Sequence, residues 1–438
     1  MTPHRLALAL LSFSLAAAAV AQPPKPPAPS ADEKNARESF AAGKLDDALK
    51  SLQAAAKANP ALVPRVLISR WFLEANQGQQ ARVWLERAAI DEPAHPAVLL
   101  TNGMYAMNEG RITDGILSCE AALQAAASPR WDADARKSFQ RDARVGLLAG
   151  YNYRGDMNSA RTQLVALLEA DPKNPRFRTE LARANFALGK PDDALAELTK
   201  ARQDDMTLDR PELGMAQFWA AKGDFPKAEE WFGKAAQAYP TEAAVHRGYA
   251  GYLLDRGRVD AAKAHLEAAR KIEPTARETK ALAGLMARYQ KDMATATAVF
   301  EELVREYPNQ AFGIANLALV LSESVDANNK RRAVELAEGY VRQNQRTAEA
   351  HAIYGYTLLK NDRVADAEKA VMTAASLGSL TPDSAYFLAR VLTQKERIEE
   401  AHKVLKDALA SQGAFVYRAD AQALFNDLDK KVPPPKKP

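Results

Sequence analysis

Small and larger apolar residues recur along the chain in a fixed order. A small residue is followed four positions later by a larger apolar side chain, and seven positions later by another small or apolar one. Positions i, i+4 and i+7 lie on one face of a helix, so each occurrence predicts an amphipathic helix. The small residues are Ala48, Ala81, Gly115, Ala160, Ala194, Ala228, Ala262, Ala296, Ala333, Ala367 and Ala401.

The spacing of these small residues is nearly constant. Eight of the ten intervals are 33 or 34 residues, and the exceptions are 45 and 37. A fixed period in this range is typical of a solenoid, in which each unit packs on its neighbours. The pattern therefore predicts about eleven helical units.

Glycines and prolines separate the predicted helices. Six glycines stand five residues before a small position and predict a turn with positive φ between two helices: Gly43, Gly110, Gly155, Gly189, Gly223 and Gly257. Polar residues three positions after such glycines are expected to cap the second helix, namely Asp46, Asn158, Asp192 and Asp260. Prolines after the second helix, such as Pro60 and Pro240, mark the start of the next unit.

This arrangement resembles the tetratricopeptide repeat family. The family's pattern has Gly or Ala at position 8, Ala at 20, an aromatic residue or Leu at 24, Ala at 27 and Pro at 32. The matching residues include Gly103, Gly284 and Gly355 at 8, and Ala228, Phe232, Ala235 and Pro240 at the later positions. The resemblance covers roughly residues 30 to 430. It implies an all-α fold, a right-handed superhelical solenoid of about eleven helix-turn-helix repeats.

One interval is eleven residues longer than the period and contains "SPRWDADARKSFQ", residues 128–140. Eleven helical residues add about 16 Å, so the insertion is either a longer leading helix or a protruding turn. Trp131 lies in it, outside the repeat. An exposed tryptophan there is a candidate contact for a partner.

The two ends differ from the repeats. Residues 1–21 read as a signal peptide: a basic start, an apolar run from Leu6 to Val20, and Ala-Val-Ala before the cleavage point. Residues 22–31 are a proline-rich linker, and 430–438 form a basic proline-rich tail, both expected to be disordered. Between them we expect the solenoid over 32–413 and a capping helix over 414–429.

The charge of the chain limits the classes of partner that it is expected to bind. The formal net charge is +4. Without Arg5 and the four lysines of the tail, the body is close to neutral, which argues against nucleic acid. No further run is long enough to span a membrane, so we expect no transmembrane segment in the mature chain. The signal peptide favours an exported protein, periplasmic or else secreted.

No catalytic or metal-binding motif occurs, and no cofactor is expected. The six histidines are scattered, and the nearest two, His246 and His265, are predicted on different helices. Cys119, the only cysteine, occupies a core position of the repeat, which favours a buried, inert thiol. The sequence therefore favours a non-enzymatic protein.

By resemblance to the family, partners bind on a concave face lined by positions 2, 5, 9 and 12 of each first helix. The candidates at such positions are Arg70, Arg183, Gln217, Arg247, Arg288, Tyr356 and Arg390. Arginines suit carboxylates and other planar anions, which favours an acidic peptide segment or an anionic glycan. The alternative is that these arginines pair with carboxylates of adjacent units.

The resulting hypothesis is a protein-protein interaction scaffold of the bacterial cell envelope. Its partners would be other envelope or periplasmic proteins, bound as segments on the concave face. The alternative is a component of an exopolysaccharide synthesis or export machine that binds an anionic polysaccharide.

Overall fold

A computed structural model describes residues 30–431. The predicted signal peptide, most of the linker and most of the basic tail lie outside these residues. Within them all regular structure is helical, and there are 23 α-helices. They are α1 Ala31–Ala41, α2 Leu45–Ala58, α3 Pro64–Glu74, α4 Gly78–Asp91, α5 Pro96–Asn108, α6 Ile112–Ala126, α7 Ala133–Arg154, α8 Met157–Ala170, α9 Pro175–Ala187, α10 Pro191–Asp204, α11 Pro211–Lys222, α12 Phe225–Ala238, α13 Ala243–Asp255, α14 Val259–Ile272, α15 Arg277–Tyr289, α16 Met293–Glu306, α17 Ala311–Ser322, α18 Ala327–Gln343, α19 Ala348–Leu359, α20 Val364–Leu377, α21 Pro382–Gln394, α22 Ile398–Ala410 and α23 Arg418–Asp429.

The helices follow one another in pairs. An odd-numbered first helix is followed by a tight turn and an even-numbered second helix, which gives eleven pairs before α23. The all-α class and the eleven-repeat solenoid predicted from the sequence are thereby confirmed. The described residues divide into two compact units, an N-terminal unit of residues 30–218 and a C-terminal unit of residues 219–431.

The turns within the pairs share one backbone conformation. All six glycines predicted at this turn have positive φ, between +67° and +82°. Four other turns place a non-glycine residue at the same phase with φ between 57° and 60°: Asn76, Lys291, Asp362 and Glu396. The packing of two helices therefore imposes the left-handed conformation even where the sequence offers no glycine.

This turn allows a direct test of backbone strain. Glu396→Gly is expected to raise the free energy of unfolding by about 0.5–1 kcal/mol, because glycine adopts positive φ without the Cβ penalty. Gly189→Ala is expected to lower it by a similar amount, since a Cβ there meets open space and only φ matters. Chemical denaturation followed by circular dichroism measures both changes. Shifts of the same sign in both variants would contradict this explanation.

The predicted helix caps are wrong. Asp46, Asn158, Asp192 and Asp260 lie inside the first turn of their helices rather than at the cap. The capping position falls two residues earlier, because the helix begins directly after the turn; the residues there are Lys44, Asp156, Lys190 and Arg258. Only Asp156 of these four accepts a side-chain hydrogen bond, from the backbone N–H of Ser159.

Within a hairpin, glycine at position 8 of the first helix faces the large residue at position 24 of the second. A Cβ added at Gly284 would lie 2.7 Å from the Phe300 ring, and one at Gly355 would lie 2.5 Å from Val371 Cγ1. Cys119 fills the same place against Gly103. The absence of a Cβ in these three hairpins thus lets the second helix pack directly on the backbone of the first.

The insertion at residues 128–140 lengthens a first helix. Helix α7 has 22 residues, so of the two alternatives the longer leading helix is confirmed. Trp131 precedes it but is only 4% exposed, and its ring packs on those of His95 and Phe139 at 4.8 Å and 5.3 Å. Its Nε1–H donates to the Ala125 carbonyl at 2.9 Å. The expectation of an exposed contact at Trp131 is therefore wrong.

First helices pack side by side within each unit. In the N-terminal unit α3 contacts α5 and α5 contacts α7; in the C-terminal unit α13, α15, α17, α19 and α21 contact one another in succession. Second helices of successive pairs make no comparable contacts within the described residues. The first helices are thus the more closely spaced, and they form the surface that we call the inner face of each unit.

Candidate functional site

The candidates in the N-terminal unit lie on three first helices. Arg70 on α3 is exposed at its side chain, and its Nη2 lies 3.4 Å from Thr101 Oγ1. Although the residue is exposed overall, the helices around its guanidinium desolvate that group and lower its pKa, while the carboxylate of Asp142 acts in the opposite direction. Gln217 on α11 is exposed. Arg183 on α9 donates to Glu180 Oε2 of the same helix at 2.5 Å.

Two apolar residues missed by the sequence reasoning belong to the same inner face. Met104 on α5 is 56% exposed and Val145 on α7 is 41% exposed. They occupy positions 9 and 5 of the repeat, by the same count that placed Arg70 at position 9. The repeat position was the available signal, but an apolar side chain on an amphipathic helix more often belongs to the core. With Arg70 they form a mixed apolar and cationic surface, a composition that protein interfaces favour.

The candidates in the C-terminal unit are mostly engaged. Arg247 on α13 pairs with Glu273 at 2.5 Å. Arg390 on α21 donates to the Tyr386 hydroxyl at 3.0 Å. Arg288 is only 6% exposed and donates to Asn316 Oδ1 at 2.5 Å. Tyr356 is 1% exposed, with its hydroxyl donating to Glu323 Oε1 at 2.5 Å.

Arg288 and Tyr356 are therefore almost inaccessible to a partner. The prediction that these two residues contact a partner is corrected. The cause is a segment of the same chain. Residues 411–420, which we call the strap, leave α22 and run over the inner face of the C-terminal unit into the first turn of α23. Within the strap, Phe415 and Tyr417 are buried.

The strap contacts first helices along the unit. Arg256, directly after α13, donates to the Gln412 carbonyl at 2.6 Å. Lys291, in the turn that follows α15, pairs with Asp420 at 2.8 Å. The Tyr417 ring stacks on Tyr386 with centroids 5.3 Å apart. The strap thus spans an inner face that the sequence assigned to partners.

One carboxyl group, that of Asp383, contacts the strap, and a second, that of Glu349, interacts with Arg288. The backbone N–H of Tyr417 donates to Asp383 Oδ1 at 3.1 Å. Burial raises the pKa of Asp383 to about 6, and burial also raises the pKa of Glu349; the positive charge of Arg288 opposes both shifts. The buried inner face therefore carries carboxyl groups as well as arginines.

The other chemistry-bearing residues form packing contacts. His246 and His265 do lie on different helices, α13 and α14, yet their Nδ1 atoms approach to 3.1 Å. Burial, together with His246, lowers the pKa of His265. Cys119 is buried, as predicted, and burial raises the pKa of its thiol to about 11. Among the described residues no group of three or more His, Cys, Asp or Glu side chains is placed to hold a metal ion.

Known families match parts of the chain. Models of the tetratricopeptide repeat match residues 153–217, 220–289 and 323–385. The chain is a tetratricopeptide repeat protein. Proteins with these repeats are in general interaction scaffolds that bind other proteins. No helix within residues 30–431 combines the length and hydropathy needed to cross a bilayer.

Solved structures match the chain at low sequence identity. Yeast Tom70 is 14% identical over 92% of this chain and 95% of that one, with a TM-score of 0.35. A thermophilic TPR protein of Thermus thermophilus is 20% identical over 43% of this chain and 100% of that one, with a TM-score of 0.37. PilF of Pseudomonas aeruginosa is 16% identical over 50% and 96%, with a TM-score of 0.35. No curated protein matches the chain.

Proposed function

We propose that this tetratricopeptide repeat protein is a non-enzymatic scaffold of the bacterial cell envelope that binds segments of other proteins. The observation that carries the proposal is the inner face around Arg70, Met104 and Val145. These side chains are exposed on three successive first helices, α3, α5 and α7. Exposed apolar groups beside arginine give a partner both buried area and charge-assisted hydrogen bonds.

The envelope location rests on the leader pattern of residues 1–21. The apolar run and the Ala-Val-Ala motif are what a signal peptidase accepts, and they favour export to the periplasm. No observation favours the anionic polysaccharide as an alternative partner. An anionic polysaccharide requires a mainly cationic inner face, whereas Glu323, Glu349 and Asp383 lie among the basic side chains of the C-terminal unit.

The arginines take a smaller part in this proposal than the sequence suggested. Arg183 and Arg247 already have carboxylate partners within the chain. Reversing their charge would disturb those pairs as well as any partner. Met104 is the better probe, because it has no polar partner to lose and its side chain is more than half exposed.

Met104→Asp is expected to weaken partner binding at least about tenfold, because it places a charge at the centre of the apolar surface. The measurement is affinity capture from a periplasmic extract with the chain beginning at Gln22, quantified by mass spectrometry. Binding of the captured protein is then titrated with purified components.

The matched control is Leu117→Asp. Leu117 lies on the second helix of the same hairpin and is 58% exposed, against 56% for Met104. It is expected to leave binding unchanged, since it lies off the inner face. Equal recovery of the same proteins by the Met104 variant and the wild type would overturn the proposed surface.

A further inference from the structure

The strap is more than the end of a solenoid. In a repeat protein each unit contacts only its neighbours, and a terminal cap covers the last unit. The strap instead reaches Arg256, 156 residues before Gln412, and Lys291, 129 residues before Asp420. A cap needs neither of these distant contacts.

The strap, a loop followed by the first turn of α23, is held by contacts of the kind that bind a separate ligand. Its two aromatic side chains are buried: Phe415 is 4% and Tyr417 is 7% exposed. Its backbone is held by side chains of the inner face, through the Gln412 carbonyl and the Tyr417 N–H. Its acidic end, Asp420, pairs with Lys291 in the turn between α15 and α16. Backbone hydrogen bonds, two anchors and one charge are the contacts by which a groove recognises a peptide segment.

We propose that the inner face of the C-terminal unit is a binding groove for a protein segment with an aromatic-x-aromatic-x-x-acidic pattern, and that the strap occupies it as an internal ligand. The pattern is that of Phe415, Tyr417 and Asp420. A partner carrying it replaces the strap contact for contact: the second aromatic ring on Tyr386, the backbone N–H on Asp383 and the carboxylate on Lys291. The occupant is a segment of another protein, and the strap regulates its access.

The proposal extends the proposed function to a second surface and rests on that function only for the kind of partner. It concerns residues 219–431, whereas Met104 and Leu117 test residues 30–218. The tethered strap competes at an effective concentration on the order of millimolar, so a free segment binds weakly until the strap is released. Because of this competition, the affinity of a peptide copy of the strap reports whether the groove is occupied.

The experiment uses a fluorescent peptide of residues 411–420, SQGAFVYRAD, and the full chain. In the chain, Phe415→Ala with Tyr417→Ala removes both anchors of the strap and leaves the groove unchanged. This variant is expected to bind the peptide at least about tenfold more tightly than the wild type, measured by fluorescence anisotropy. A peptide with the same two alanines is expected not to bind.

A second variant distinguishes release of the strap from loss of folding. Asp420→Lys changes a partly exposed residue and places a positive charge beside Lys291, so it loosens the strap without removing a core side chain. Its peptide affinity is expected to lie between those of the wild type and the double variant. Helix content by circular dichroism is measured for every variant.

Three results would overturn the proposal. In the first, the double variant retains its helix content but gains no affinity, and the strap is then only a packing element. In the second, the double variant loses helix content while Asp420→Lys binds the peptide no better than the wild type. In the third, light scattering shows that released chains dimerise by exchanging straps, which makes a second copy the occupant.

Discussion

Phe300→Ala is expected to lower the free energy of unfolding by about 3–5 kcal/mol, the range measured when a large aromatic side chain is removed from a core. Phe300 on α16 is 0% exposed. Its ring lies against Gly284 of α15 in its own hairpin and near Phe312 of α17 in the next, with ring centroids 6.1 Å apart. The side chain therefore contributes both to the hairpin and to its contact with the following repeat.

The cavity left by Phe300→Ala is difficult to fill. Gly284 has no side chain to move into it, and the alanines nearby, Ala281 and Ala296, are too small. Because a solenoid is stabilised by contacts between neighbouring repeats, losing this one weakens the link between two pairs. Urea denaturation, followed by circular dichroism, gives the change in free energy.

The control is Tyr153→Ala, an aromatic residue on α7 that is 61% exposed. It is expected to change the free energy of unfolding by less than about 0.5 kcal/mol, as surface substitutions do. If Phe300→Ala cost no more than the control, the hairpins would be able to repack, and the contact with Gly284 would not be the one that fixes them.

The fold was predictable because its determinants are local and periodic. The pairing of Gly284 with Phe300 spans 16 residues and recurs for Gly103 with Cys119 and for Gly355 with Val371. Periodicity does not show where the chain is strained. Lys291, Asp362 and Glu396 adopt positive φ because helix packing imposes it, and the sequence has no glycine at these positions to indicate it.

The candidate site was predictable only in part, for a physical reason. Repeat positions assigned Arg288 and Tyr356 to the inner face, and in the structure both lie beside the Tyr417 ring. Whether that face is open depends on the strap, which contacts residues more than a hundred positions away and follows no period. Met104 was missed because an exposed and a buried methionine look alike in an amphipathic pattern.

Arg288→Met is expected to lower the free energy of unfolding by about 3 kcal/mol at pH 8, and by much less at pH 5. Arg288 is a buried positive charge that opposes the raised pKa of Asp383 and of Glu349. Methionine keeps much of the volume but removes the charge. The Asp383 carboxylate then remains under the strap without this nearby positive charge, and removing one member of a buried charge cluster is the costly way to break it.

The pH dependence follows from the direction of the shift. The folded pKa of Asp383 is about 6, above its ordinary value of 3.8, so the folded chain binds the proton more tightly than the unfolded chain does. Its ionisation therefore destabilises the fold as the pH rises from about 4 through 6. Without Arg288 the pKa values of Asp383 and Glu349 rise further. At pH 5 Asp383 is mostly protonated, so the loss of the Arg288 charge has a smaller effect.

Denaturation at pH 5 and pH 8 separates this role from packing. Restoring charge balance with Asp383→Asn and Glu349→Gln in the Arg288→Met background is expected to recover most of the loss at pH 8. A loss of equal size at both pH values would mean that Arg288 acts through its hydrogen bond to Asn316 and its contact with Tyr417 instead. In that case the strap would be what stabilises the Asp383 carboxyl group in the fold, through the Tyr417 N–H that donates to it.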